Sequence, residues 1–171
     1  MIWLVILSML VMAAYTAAVC IKQKGVPYSI SATFYAIERK GWFRFAMWVC
    51  PALLMPAISE VSNPGTEFLA FLALAGMIVV GCFPDYRADK FQYRGHIAGA
   101  TMAILFSQIW AALNLWPMLL AWLLYVGYTA LSIAKEKEGT FWYRFYRSKP
   151  MFWVEIDSFL VVYLVCCILK I

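Results

Sequence analysis

Charge is scarce in this chain. Charged residues make up 13% of its 171 residues, while 65% are hydrophobic and the mean hydropathy is +0.78. A soluble domain is about 45–50% apolar and about 25% charged. One soluble core cannot absorb that excess, and a bilayer can. Histidine is scarcer still, with His96 the only one; zinc sites usually want more His or Cys. The five cysteines, Cys20, Cys50, Cys82, Cys166 and Cys167, form no CxxC pair and lie in or beside apolar runs. They read as small buried hydrophobes and not as a thiolate metal site. Nucleotide-binding loops, serine elbows and HExxH are absent. No metal and no cofactor are expected.

Long apolar runs are what the chain does have. They predict one all-α domain over 1–171, a polytopic transmembrane bundle of six spans. The spans fall at about 1–21, 43–58, 68–83, 97–113, 115–134 and 151–169, given that about 20 residues cross a bilayer. A secretory signal peptide is the other reading of 1–21. That run has no basic residue before it and no clear small-residue cleavage site, so it reads as a retained helix. Pro51 and Pro56 predict a kink in the second span. After the first span, Gly25 and Pro27 break the helix, Ser29 or Ser31 can cap a new one, and Ile30, Phe34 and Ile37 recur at helical spacing. A short amphipathic helix in the membrane interface is expected there. At 95–111 every fourth residue is small: Gly95, Gly99, Ala103, Ser107, Ala111. On a helix these form one stripe along which a neighbour can approach closely.

Basic residues are missing from two of the five loops. Every Lys and Arg except Lys170 lies in or beside the first, third and fifth loops. Positive loops stay in the cytoplasm. The expectation is therefore an inner (cytoplasmic) membrane protein with both termini outside. Trp42, Tyr86, Tyr93, Trp116, Trp142, Tyr143 and Trp153 fall where interfacial anchors belong. The net charge of +5 then reflects topology and anionic lipid, and nucleic acid is not an expected partner.

Four ionisable groups lie at or inside the cytoplasmic boundary: Asp85, His96, Glu155 and Asp157. They are the candidate catalytic residues. An Asp at the centre of a membrane helix costs about 2.5–3.5 kcal/mol on insertion scales. Residues two apart on a helix point about 200° from one another, so Glu155 and Asp157 cannot face one pocket unless the helix unwinds. Glu155 shares its face with Ser158, and Asp157 shares its face with Leu160, Val161 and Leu164. Glu155 is expected to face the interior, and Asp157 to lie near headgroups or a loop cation. The structural alternative for the acids is an ion pair with Arg44, Arg144 or Arg147, or a plain interfacial position. For His96 it is a bond to a loop carbonyl or to Asp85. Lys22, Lys24, Ser29 and Ser31 around the GVPYSIS turn, and Arg144 and Arg147 in the FWYRFYR run, are candidate contacts for lipid headgroups. A plain capped turn and a membrane anchor are the structural readings of those two stretches.

GVPYSISATFY after the first span, GCFPDYR after the third and GHIAGA…SQIW opening the fourth resemble an uncharacterised group of small six-helix membrane proteins of bacteria and their phages. The resemblance covers roughly the first two thirds of the chain and implies topology only. Function is expected among three classes. The first is a bundle that binds a lipid or other apolar ligand, with a basic cytoplasmic face. The alternatives are a membrane enzyme acting on a lipid at the cytoplasmic interface, and a subunit of a channel or envelope assembly. Expected partners are membrane lipids, with a homo-oligomer or partner membrane subunits.

Overall fold

In the computed structural model, which describes residues 1–170, the chain is all-helical. The α-helices are α1 (Ile2–Lys22), α2 (Gly41–Val61), α3 (Glu67–Cys82), α4 (Lys90–Leu115), α5 (Trp122–Lys135), α6 (Phe141–Arg147) and α7 (Pro150–Lys170), with 3-10 segments at Ser31–Tyr35 and Trp116–Ala121. Four stretches are long and apolar enough to cross a membrane: Ile2–Lys22, Gly41–Val61, Lys90–Lys135 and Pro150–Lys170. Helix α3 is apolar but has 16 residues, about 24 Å at 1.5 Å per residue.

Local chemistry sets the helix ends. Asp89 Oδ1 accepts from the N–H groups of Phe91 at 2.7 Å and Gln92 at 2.8 Å, which caps α4. The helix thus begins at Lys90, seven residues before the apolar run expected to open it. Helix α2 runs through Pro51 and Pro56 to Val61. At Leu115 the backbone leaves helical geometry, with φ −158° and ψ 69°, and Pro117 follows. Beyond it α5 packs against α7 and α6. The basic stretch expected as a loop before the last span contains α6, capped by Thr140, whose hydroxyl accepts from Tyr143 N–H at 3.4 Å.

The short amphipathic helix expected after α1 is not an α-helix. The chain forms the 3-10 segment Ser31–Tyr35 instead, with Ser31, Thr33 and Phe34 buried. It closes one end of the bundle, where Phe34 packs with Met12, Phe43, Met47, Met77 and Phe152. A second apolar cluster fills the other end, around Val5, Leu54, Ile58, Trp110, Val161 and Val165. Between α1, α2 and α7 sits one polar knot. Ser8 Oγ donates to Cys50 O at 3.1 Å and lies 3.0 Å from the Tyr163 hydroxyl.

The small-residue stripe of α4 packs on α3. A Cβ on Gly99 would lie 2.8 Å from Val79 Cγ1 and 2.9 Å from both Gly76 O and Val80 N. A Cβ on Gly76 would meet Ala103 N at 2.5 Å. The backbones approach too closely for either side chain, as in membrane helix pairs built on small residues.

The two ends of the bundle differ. Glu60, at the end of α2, pairs with the Met1 amino group at 3.6 Å and with Lys170. Asn63 and Asn114 join the neighbouring turns, with Asn63 N–H donating to Asn114 Oδ1 at 2.6 Å. At the opposite end, Tyr28 meets Tyr146 and Tyr35 meets Tyr86, at centroid separations of 5.0 and 5.2 Å. The loops holding the basic residues therefore gather at one end, and Met1 and Lys170 lie at the other.

Candidate functional site

Glu155 faces inward, as expected. Its carboxylate accepts from the backbone N–H of Ile30 and from Ser31 Oγ at 3.1 Å. No arginine pairs with it among the described residues. The free N–H groups that made the GVPYSIS turn a candidate anion site are thus engaged by a carboxylate from the same chain. Ser29 is also committed, since its Oγ accepts from Ala32 N–H at 2.9 Å and closes the turn. The turn is thus capped, the structural reading of this stretch, and its donors hold Glu155 where a lipid headgroup was the candidate ligand.

Asp157 is also corrected. It is buried, at 5% exposure, and pairs with no cation among the described residues. Its Oδ2 has no hydrogen-bond partner. One helical turn away the Trp153 ring meets Tyr128 of α5 at a tilt, with centroids 4.4 Å apart, so this face of α7 looks toward α5. Thr129, the buried residue of α5, and Trp153 likewise have side-chain polar atoms without partners.

His96 is buried, and its Nδ1 lies 2.8 Å from Phe83 O. Its ring rests on Tyr86 at 4.6 Å. This is the loop-carbonyl arrangement, without a bond to Asp85. Asp85 accepts from the Tyr35 hydroxyl at 3.0 Å, and that oxygen accepts from Arg87 N–H at 2.8 Å. The Arg87 guanidinium covers the Tyr35 ring at 4.5 Å. Burial pushes the Tyr35 hydroxyl up to about 12, so it stays protonated and keeps donating to Asp85. The group ties the 3-10 segment to the turn between α3 and α4. No three metal-ligating side chains converge among the described residues.

The basic candidates separate. Arg147 lies 3.8 Å from Glu136 and donates to the Tyr143 hydroxyl at 3.0 Å; Arg144 reaches Glu136 O at 3.5 Å. Both fasten α6 to the end of α5. Lys24 is exposed, with a φ of 53°. Lys22 donates to Glu38 at 2.9 Å.

Two cavities stand out among the described residues. One, of about 80 Å³, lies inside the bundle among Met47, Leu54, Met77, Ala103, Trp110, Ser107, Ser158 and Glu155. It is far below the roughly 300–1,000 Å³ of ligand clefts. The other is a groove of about 570 Å³ between α1 and α2. Val11, Ala14, Ala18 and Val19 form one wall and Phe45 and Ala46 the other, with Lys22, Glu38, Arg39 and Trp42 at the mouth. Sequence reasoning named Lys22 but missed the groove. Its only signal was the pairing of a basic loop with two small residues, Ala14 and Ala18, on one face of the first helix.

Compared with known protein families, curated proteins and solved structures, the chain finds no match.

Proposed function

We propose that this protein is a multi-pass membrane protein whose bundle binds a phospholipid between α1 and α2. The groove carries the proposal. It follows α1 from Val11 to Lys22, about 16 Å at 1.5 Å per residue, or about half of a 30 Å hydrocarbon core. Its apolar walls therefore match one leaflet in depth. Lys22, Arg39 and Trp42 then stand at headgroup level, where cations and Trp are favoured. Its volume falls within the usual range for ligand clefts.

The membrane setting belongs to the same proposal. Large apolar side chains such as Trp3, Leu10, Phe68, Leu123, Leu124 and Leu131 are more than half exposed, which suits lipid as solvent. The break at Leu115 and the packing of α5 on α7 support six crossings, the number that the motif resemblance implies. The gathered basic loops support a cytoplasmic basic end in the inner membrane, with both termini outside. The enzyme reading is weaker, because Glu155 is engaged by the Ser31–Tyr35 segment and His96 by Phe83 O.

The test is mass spectrometry of the intact protein released from gentle detergent. Wild type should retain phospholipid. Ala18→Trp fills the groove from an exposed position and should release it without lowering the melting temperature. Equal lipid retention by a normally folded Ala18→Trp protein overturns the groove as the site.

A further inference from the structure

We infer that the mouth of the α1–α2 groove selects a zwitterionic phospholipid with a primary amine, of the phosphoethanolamine type, over anionic and choline lipids. This rests on the groove being the lipid site. The mouth carries charges of both signs: Lys22, Glu38 and Arg39. Arg39 makes no side-chain hydrogen bond or ion pair among the described residues. Its planar fork is free to take a phosphate through two N–H groups. Glu38, the next residue, is 88% exposed in its side chain, and Lys22 engages its Oε1 alone. That hydrogen bond and the charge of Lys22 hold the Glu38 carboxyl below its ordinary value, so it is ionised at neutral pH. Its second oxygen is left to accept from a ligand.

Three headgroup chemistries then separate. A phosphoethanolamine offers a phosphate to Arg39 and an ammonium with three N–H donors to Glu38. A headgroup with a net negative charge satisfies Arg39 but brings its charge against the Glu38 carboxylate, and like charges disfavour one another. A choline headgroup has the positive charge but no N–H for Glu38 to accept. Discrimination comes from the acid as much as from the cations, through an unfavourable contact with the wrong ligand.

The experiment uses the full chain in mixed micelles containing equal amounts of phosphatidylethanolamine, phosphatidylglycerol and phosphatidylcholine with identical acyl chains. Bound lipid is read by mass spectrometry of the intact complex. Wild type should hold the ethanolamine lipid several-fold over the other two. Glu38→Gln should bring the ethanolamine-to-glycerol ratio to one or below, because it removes the carboxylate charge that attracts the ammonium and repels an anionic headgroup, and it frees Lys22. Arg39→Gln should weaken retention of all three. The substituted side chains are surface-exposed, and thermal melting checks that each variant folds. Lipid retained without an ethanolamine preference, or a preference that survives Glu38→Gln, overturns the headgroup inference and leaves the groove standing. Loss of all lipid from wild type overturns both.

Discussion

Glu155 holds the Ser31–Tyr35 segment to α7 through the Ile30 N–H and the Ser31 hydroxyl. Glu155→Ala leaves that N–H without its partner inside the protein, at a cost of about 1–3 kcal/mol. Glu155→Gln keeps one oxygen for the Ile30 N–H and can donate to the Ser31 oxygen, so it should cost less. Melting temperatures in detergent should fall in the order wild type, Gln, Ala; Gln and Ala falling together would mean that the carboxylate is not the tie. Asp157 presents the opposite case. Its buried Oδ2 has no partner, and an unsatisfied buried polar group carries a penalty of about 1–3 kcal/mol. Leucine has the same branched shape without the polar atoms, so Asp157→Leu should raise the melting temperature. A fall with Leu but not with Asn would reveal a polar partner at this seam. The sequence distinguished the two acids by the company on their faces but misjudged Asp157. Leu160, Val161 and Leu164 on its face suggested lipid or headgroups, whereas that face of α7 looks toward α5.

At the scale of elements, the α3–α4 pair was the most legible. Small residues every fourth position state a close helix contact directly, and the structure puts Gly99 against the α3 backbone at Gly76. Gly99→Ala should therefore destabilise by about 1–3 kcal/mol through overpacking. Gly127 of α5 has nothing within 4 Å of a built Cβ. There Gly→Ala should be neutral or gain up to about 1 kcal/mol of helix propensity. The opposite signs are the test, and two equal responses in thermal melting would remove steric contact as the cause. Two elements were not legible. The segment after α1 has helical spacing, but its donors go to Glu155, 125 residues on in the chain, and no local pattern encodes that. The α1–α2 groove lies between two helices that each read simply as apolar, so it exists only once they are packed.

At the scale of the molecule, one asymmetry organises everything else. Met1 and Lys170 both meet Glu60 at one end, while the basic loops gather around Tyr28, Tyr35 and Tyr146 at the other. The fold thus puts all five basic residues of the first loop and its flank, Lys22, Lys24, Arg39, Lys40 and Arg44, on the side of α6. Charge of this kind fixes orientation, because short basic loops are retained in the cytoplasm. The α1–α2 groove opens at the same end, so orientation would also decide which leaflet supplies the lipid proposed for it. Probes should sit at exposed, uncommitted positions. Pro64 qualifies in the turn before α3, and Glu138 qualifies before α6. Ser62 does not, because its hydroxyl is held between Ile58 O and Trp110 Nε1. Single cysteines at 64 and 138, in a background without the five native ones, would be challenged in intact cells with a membrane-impermeant thiol reagent. Pro64→Cys should react, and Glu138→Cys should react only after the cells are opened. The reverse pattern would put the basic end outside and hand the groove to the outer leaflet. Labelling of both in intact cells would mean that the two loops do not lie on opposite sides of the membrane at all.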